Sequence, residues 1–156
     1  MSRRSYAFVI GGSLVVAAGL ATGIALAFGG GGRHELTAAE YRARVAVACD
    51  RYGRQLDRIP PPTDLAVPGE VTSSIERALP VLKELSAAIR AIPPPGQLRA
   101  RADRLSGMRV RSIASLEEAL AAGRKRDLGP MGQDVFAFFA SRDEGRTLAK
   151  EIKLAC

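Results

Sequence analysis

An unbroken apolar segment near the N-terminus dominates this sequence. Residues 6–28 include no charged side chain. A helix of that length is roughly 35 Å long, enough to cross the ~30 Å hydrocarbon core of a bilayer. Arg3 and Arg4 precede the segment, and cationic residues favour the cytoplasmic side of a span. The sequence therefore predicts a cytoplasmic tail over residues 1–5, a transmembrane helix over 6–28, and everything after Gly32 outside the membrane.

A cleaved signal peptide is the alternative to this uncleaved anchor. Ala25-Leu26-Ala27 fits the small-x-small pattern of a cleavage site, and cleavage near Ala27 would release a secreted protein. The apolar stretch exceeds the roughly 7–15 residues usual in a signal peptide, which favours the anchor. Gly19 and Gly23 form a GxxxG spacing. A homodimer through the span is thus a weaker hypothesis, because Gly- and Ala-rich spans often produce this spacing by chance.

The net charge of the residues after the apolar segment indicates which kinds of partner they can bind. The whole sequence has 23 basic and 16 acidic residues, a formal net charge of +7. Residues 1–32 contain two of the basic and none of the acidic residues, so the remainder has 21 basic and 16 acidic side chains, or +5. Outside the membrane this charge would meet lipid headgroups or wall polymers. We therefore predict membrane and envelope partners and no nucleic acid.

A short Gly-rich tether over residues 29–36 leads into a helical pattern. Thr37 and Glu40 fit a capping box at the start of a first helix. Apolar residues then recur at spacings of three and four until the prolines at 60–62 end the pattern.

Two more helices are predicted between proline-rich connectors. The second begins between Gly69 and Ser74 and ends at the prolines at 93–95. Pro80 lies inside it and should kink it or delay its start, because proline removes a backbone donor and clashes with the preceding turn. The third helix is predicted over residues 97–122.

A fourth helix follows Gly129-Pro130 and is predicted to break at Gly145. No sustained strand-like alternation occurs in the sequence, so the predicted fold is all-α, an up-down four-helix bundle over residues 37–156 behind the membrane helix. The few aromatic residues of this part are expected to pack together, which would make the first and fourth helices neighbours. They are Tyr41, Tyr52, Phe136, Phe138 and Phe139.

The two cysteines, Cys49 and Cys156, both fall on the predicted oxidising side of the membrane, which predicts a disulfide between them. Cys49 lies within the first helix, whereas an unbroken fourth helix would carry Cys156 well past it. A break at Gly145 or a stagger between helices would bring the two within bonding range. An intermolecular bridge and free thiols remain the alternatives.

The sequence contains few residues in patterns that suit catalysis. His34, in the tether, is the one histidine of the sequence, which argues against a histidine-based triad or a multi-histidine metal site. Asp143-Glu144 and Glu117-Glu118 are adjacent carboxylates, and neighbouring helical residues point apart. We predict no catalytic residue, no cofactor site and no metal site.

Arginine makes up most of the positive charge and suits phosphate or carboxylate pairing better than lysine. Many of these residues lie along the third helix and at its end, so an anion site is a further hypothesis. The candidate anion-binding residues are Arg101, Arg104, Arg111, Arg124, Lys125 and Arg126.

The chain resembles a group of small, uncharacterised membrane-anchored or secreted helical proteins of actinobacteria. The matching features are the Arg-flanked apolar N-terminus, a first helix containing Cys49-Asp50, proline-rich connectors after Ile59 and Ile92, and the C-terminal Leu154-Ala155-Cys156. The resemblance covers most of residues 37–156. It implies a helical domain with paired cysteines and supplies no activity.

These features favour a membrane-anchored, extracytoplasmic, non-enzymatic module that interacts with a protein or polymer of the cell envelope. One alternative is a small-ligand sensor or enzyme with a site between the helices, since bundles can hold a pocket there. The other is a module that binds anionic lipid headgroups or wall polymers.

Overall fold

Four α-helices make up the part of the chain that the computed structural model describes, residues 35–64 and 66–156. They are α1 (Ala38–Leu56), α2 (Pro68–Arg90), α3 (Gly96–Arg124) and α4 (Leu128–Glu151). No strand occurs in these residues, so the all-α class is confirmed for this region. None of the four helices is long and apolar enough to span a bilayer. The predicted membrane helix, the GxxxG glycines and His34 lie outside the described residues.

The capping box predicted at the start of α1 is confirmed. The Thr37 side-chain oxygen accepts a hydrogen bond from the Glu40 N–H at 3.2 Å, and the Thr37 N–H donates to Glu40 Oε2 at 2.8 Å. These two bonds satisfy backbone donors that have no partner inside the helix. The helix ends at Leu56, before the prolines at 60–62.

Helix α2 begins at Pro68 and continues through Pro80 without a break. Proline fits the first position of a helix, because the N–H that it lacks has no partner there. The delayed start considered for Pro80 therefore does not occur. Pro80 lies on the exposed face of α2, where water can hydrate the backbone carbonyl that loses its partner.

Helix α4 is continuous from Leu128 to Glu151, so the predicted break at Gly145 is wrong. Gly145 is buried where α4 packs on α3, and a Cβ atom there would lie 3.6 Å from Leu105 Cδ1. The cost of a glycine inside a helix is about 1 kcal/mol, which burial against a neighbouring helix readily offsets.

Ion pairs between adjacent helices show that α2, α3 and α4 alternate in direction. Between α2 and α3 the partner moves back along α3 as the position advances along α2, and an early residue of α3 pairs with a late residue of α4, as expected of antiparallel neighbours. The pairs are Glu76 with Arg124 and Lys83 with Glu117 between α2 and α3, and Arg104 with Glu144 between α3 and α4. Arg42 of α1 donates from Nε to the Ile152 carbonyl oxygen at 2.8 Å, so the chain after α4 returns to α1.

The apolar interior is divided into two clusters, and residues 33–156 form one compact unit. The first core cluster joins α1, the end of α2, the first half of α3 and the end of α4; it contains Tyr41, Val45, Ile89, Leu98, Ala102, Leu105, Met108, Leu148, Ala149, Ile152 and Leu154. The second core cluster joins the other ends of α2, α3 and α4; it contains Val71, Ile75, Leu79, Leu116, Ala119, Leu120 and Met131.

The aromatic side chains do not form the single group that was predicted. Tyr41 belongs to the first core cluster, Phe138 packs against the second, and Phe136 is 75% exposed. The segment after α4 joins α1 in the first core cluster, through the aliphatic residues Ile152 and Leu154. The predicted contact between the aromatic side chains of α1 and α4 is therefore wrong.

The disulfide between Cys49 and Cys156 is present, with the two Cα atoms 5.3 Å apart. A turn after α4, rather than a break inside it, brings Cys156 back. Lys153 has φ of 57°, its N–H donates to the Lys150 carbonyl, and the Leu154 N–H donates to the Ala149 carbonyl. These bonds define a Schellman motif, in which glycine is the usual left-handed residue.

Replacing Lys153 by glycine is expected to stabilise the protein. A side chain in the left-handed region costs about 1–2 kcal/mol. Part of this gain is lost because glycine makes the unfolded chain more flexible, so we expect a net gain of about 0.5–1 kcal/mol. Thermal unfolding followed by circular dichroism measures it, as a rise in Tm of about 3 °C.

The matched control for this prediction is Lys150→Gly, an exposed lysine within the last turn of α4. Glycine there should lower stability by about 1 kcal/mol. A loss of similar size for Lys153→Gly would contradict the left-handed turn.

Candidate ligand-binding groove

A groove opens in the middle of the bundle, between the two core clusters. Its volume is about 250 Å³, and it lies between α2, α3 and α4. The walls are mostly apolar. The apolar side chains that line it include Leu82, Leu85, Met108, Ile113 and Phe138.

Small polar side chains at core positions explain why the groove is not filled. Ser86 of α2 and Ser112 of α3 are only 4% and 8% exposed, and Ser141 of α4 also lines the groove. One turn away from Ser86 and Ser112, the same helix faces carry leucine, isoleucine or methionine. Serine is too short to reach across to a neighbouring helix, so the close packing found in either cluster is interrupted at this level.

Arg109 brings a positive charge into the groove from α3. It is partly buried, and its Nη2 donates to the Cys156 sulfur at 3.6 Å. It forms no ion pair with any described residue in 35–64 or 66–156. Burial lowers the pKa of Arg109 from its ordinary value, but an arginine stays protonated in proteins. Burial raises the pKa of Tyr41, so the nearby phenol is neutral and leaves this charge uncompensated.

Two further arginines line the groove from α4, Arg142 and Arg146. Their guanidinium groups lie 3.3 and 3.9 Å from the same carboxylate oxygen of Asp143. The Arg142 guanidinium also lies over the Phe139 ring, 4.8 Å from its centroid. None of the described side chains lining the groove is acidic. Three guanidinium groups thus line the groove, and a single carboxylate, that of Asp143, pairs with two of them, so the net charge at the groove is positive.

The six residues predicted to bind anions do not line this groove. All are exposed, and Arg104 and Arg124 are paired with Glu144 and Glu76. From Arg101 to Arg124 the rise of the α-helix amounts to roughly 35 Å, so the two halves of the set lie at opposite ends of α3. Arg111 lies between them, and Lys125 and Arg126 follow the helix end.

Sequence reasoning missed the three groove arginines as a set. A signal was present on α3, because Arg109 shares the core-facing spacing of Leu105, Met108 and Ser112. An arginine on such a stripe indicates either a buried ion pair or a ligand site. No comparable signal marked Arg142 or Arg146, since α4 has no clear apolar stripe around them.

Metal ligands and paired carboxylates are not gathered in the described region. No group of three or more His, Cys, Asp or Glu side chains there could hold a metal ion. Asp143 contacts Arg142 and Arg146, whereas Glu144 contacts Arg104 on another helix, so this adjacent pair faces different partners.

No known protein family, curated protein or solved structure matches this chain.

Proposed function

We propose that this protein is an extracytoplasmic binding module of the cell envelope, held at the membrane by residues 6–28, and that it binds a small apolar ligand in the groove between α2, α3 and α4. Of the functions considered from the sequence, this is the small-ligand alternative. The observation that carries it is the groove itself, an apolar space of about 250 Å³ in the middle of the core.

The size and lining of the groove support a ligand rather than a simple packing defect. An engineered apolar cavity of about 150 Å³ binds benzene, so the groove suits a larger molecule. Ligand sites in proteins are typically concave and apolar with a few polar groups, and in bundles they lie between helices. Transfer of apolar ligand surface from water contributes about 25 cal/mol per Å² to binding.

The polar groups in the groove favour binding over catalysis. Ser86 Oγ accepts a hydrogen bond from Arg90 Nη2 at 3.3 Å, and a protonated arginine cannot act as the base that a nucleophilic serine needs. The other polar side chains lining the groove are serines and arginines, which can orient a ligand.

A second candidate function, binding of an envelope protein, is favoured by the exposed Phe136 on α4. Aromatic residues are common anchors at protein interfaces. Cross-linking in intact cells of the wild type and a Phe136→Glu variant tests it. Loss of a specific cross-linked species in the variant would support this function, and its absence in both would contradict it.

Filling the groove is expected to abolish ligand binding without unfolding the protein. Ser112→Leu places an apolar side chain at a buried position facing the groove. We expect the neutral fluorophore N-phenyl-1-naphthylamine to bind the wild type saturably and the variant at least about tenfold more weakly. The measurement is fluorescence titration of the full chain in lipid nanodiscs and of the 33–156 unit.

The matched control is Ser73→Leu, the same substitution at an exposed position on α2 outside the groove. It should bind the fluorophore like the wild type. Equal binding by all three proteins, or no saturable binding by the wild type, would contradict the proposed function.

A further inference from the structure

Arg109 is the feature of the groove that an apolar ligand alone does not explain. Its side chain stands on the core-facing stripe of α3, where burial disfavours a charge. A partly buried cation without a carboxylate partner is costly, and an anion that pairs with it removes that cost. The described residues supply no such anion, and the hydrogen bond to the Cys156 sulfur is a weak substitute.

The surroundings of Arg109 select for negative charge. Arg142 and Arg146 line the same groove from α4 and share the single carboxylate of Asp143. A cationic ligand would be repelled by all three guanidinium groups. A carboxylate would instead accept paired hydrogen bonds from the planar guanidinium of Arg109, a geometry that lysine cannot offer.

The volume and the apolar lining of the groove limit the size of the apolar chain that an anionic ligand can carry. Leu85, Met108 and Phe138 line it from three different helices, so an attached apolar chain would be covered on several sides. A volume of about 250 Å³ suits one short alkyl chain better than the two chains of a phospholipid. The one guanidinium without an ion pair matches a head group of single charge.

We propose that the groove binds a single-chain anionic amphiphile, a fatty-acid-like molecule whose carboxylate pairs with Arg109 and whose alkyl chain lies among the apolar side chains of α2, α3 and α4. This inference rests on the proposed ligand-binding function and specifies the chemical class of the ligand. Arg142 and Arg146 add favourable potential at the rim, and Arg109 supplies the direct contact.

The test compares three probes with ten-carbon chains, decanoate, decan-1-ol and decyltrimethylammonium, the two ions below their critical micelle concentrations and the alcohol below its solubility limit. Displacement of the neutral fluorophore is measured with the 33–156 unit, which contains both core clusters and the disulfide, and repeated with the full chain in nanodiscs. We expect decanoate to bind about 30-fold more tightly than decan-1-ol, the effect of a charged hydrogen-bonded pair, and the cationic probe to bind weakest.

Arg109→Gln should remove the preference for decanoate by weakening decanoate binding about 30-fold, and a circular dichroism spectrum like that of the wild type would show that the helical fold is intact. Arg109→Lys keeps the charge and should retain only part of the preference, because the paired geometry is lost. The matched control is Arg111→Gln, which removes the same charge from an exposed position of α3 outside the groove. It should leave the 30-fold preference intact.

The possible results distinguish failure of the proposed ligand class from failure of the proposed ligand-binding function. Equal binding of decanoate and decan-1-ol by the wild type would overturn the anionic amphiphile and leave the apolar-ligand function standing. Displacement by none of the probes, together with no fluorophore binding, would overturn both. Equal losses in Arg109→Gln and Arg111→Gln would assign the preference to general surface charge. Binding to phosphatidic acid vesicles without binding of decanoate would point to a membrane surface and also contradict the proposal.

Discussion

Replacing Cys49 and Cys156 together by serine is expected to lower the free energy of unfolding by about 4–5 kcal/mol. The bridge joins residues separated by 107 positions, and in the chain-entropy model a loop of that length restricts the unfolded chain by about this amount. Small domains are stable by only about 5–15 kcal/mol, so the variant should be marginal. Urea unfolding followed by circular dichroism should show a fall in midpoint of roughly 2 M.

Two comparisons separate the loss of the bridge from the effect of the substitutions. The wild type under reducing conditions should unfold like the double variant, and Cys49→Ser alone should do the same, because one remaining thiol cannot form the bridge within the chain. Non-reducing electrophoresis should show the oxidised wild type as a monomer. Unchanged urea midpoints, or a disulfide-linked dimer, would contradict an intramolecular bridge.

The disulfide also forms part of the groove. Cys156 lines it, and its sulfur accepts a hydrogen bond from Arg109. The bridge ties the segment after α4 to α1 and thereby fixes one edge of the groove. The proposed ligand groove and the disulfide therefore share one residue, Cys156.

Features set by neighbouring residues were predictable from the sequence. The capping box of Thr37 and Glu40 depends on residues three positions apart, and the helix order follows from apolar spacing and from the prolines between helices. The pairing of Cys49 with Cys156 was also predicted, since the sequence contains only these two cysteines.

Features set by packing between helices were not predictable. Gly145 looks like a helix breaker in isolation, but it is buried where α4 packs on α3, and α4 continues through it. The turn that returns Cys156 to α1 is centred on Lys153, and lysine gives no local sign of a left-handed conformation. In both cases tertiary contacts outweigh local preference.

The candidate site was the least predictable feature, because it depends on the register between helices. Arg109 and Arg142 are more than thirty residues apart in sequence and come together only because α3 and α4 pack antiparallel at one level. The arginine cluster at 124–126 is prominent in the sequence, yet it lies at the far end of α3 from Arg101. A run of basic residues in the sequence therefore did not indicate where arginine side chains lie close together in the fold.

Truncating Ile152 to alanine is expected to lower the free energy of unfolding by about 3 kcal/mol. Ile152 is 1% exposed and packs in the first core cluster, where the segment after α4 meets α1. Removal of a buried isoleucine side chain costs the transfer free energy of the lost groups plus a term for the cavity, typically about 2–5 kcal/mol. Urea unfolding of the oxidised protein measures the loss at constant disulfide.

Phe136→Ala is the matched control, because it removes a larger side chain from α4 at a position that is 75% exposed. Its cost should stay within about 0.5 kcal/mol. The contrast tests whether the end of α4 is docked on α1 by packing or only tethered there by the disulfide. If the Ile152→Ala variant were as stable as Phe136→Ala, packing of Ile152 would not dock this segment on α1, which would contradict the prediction.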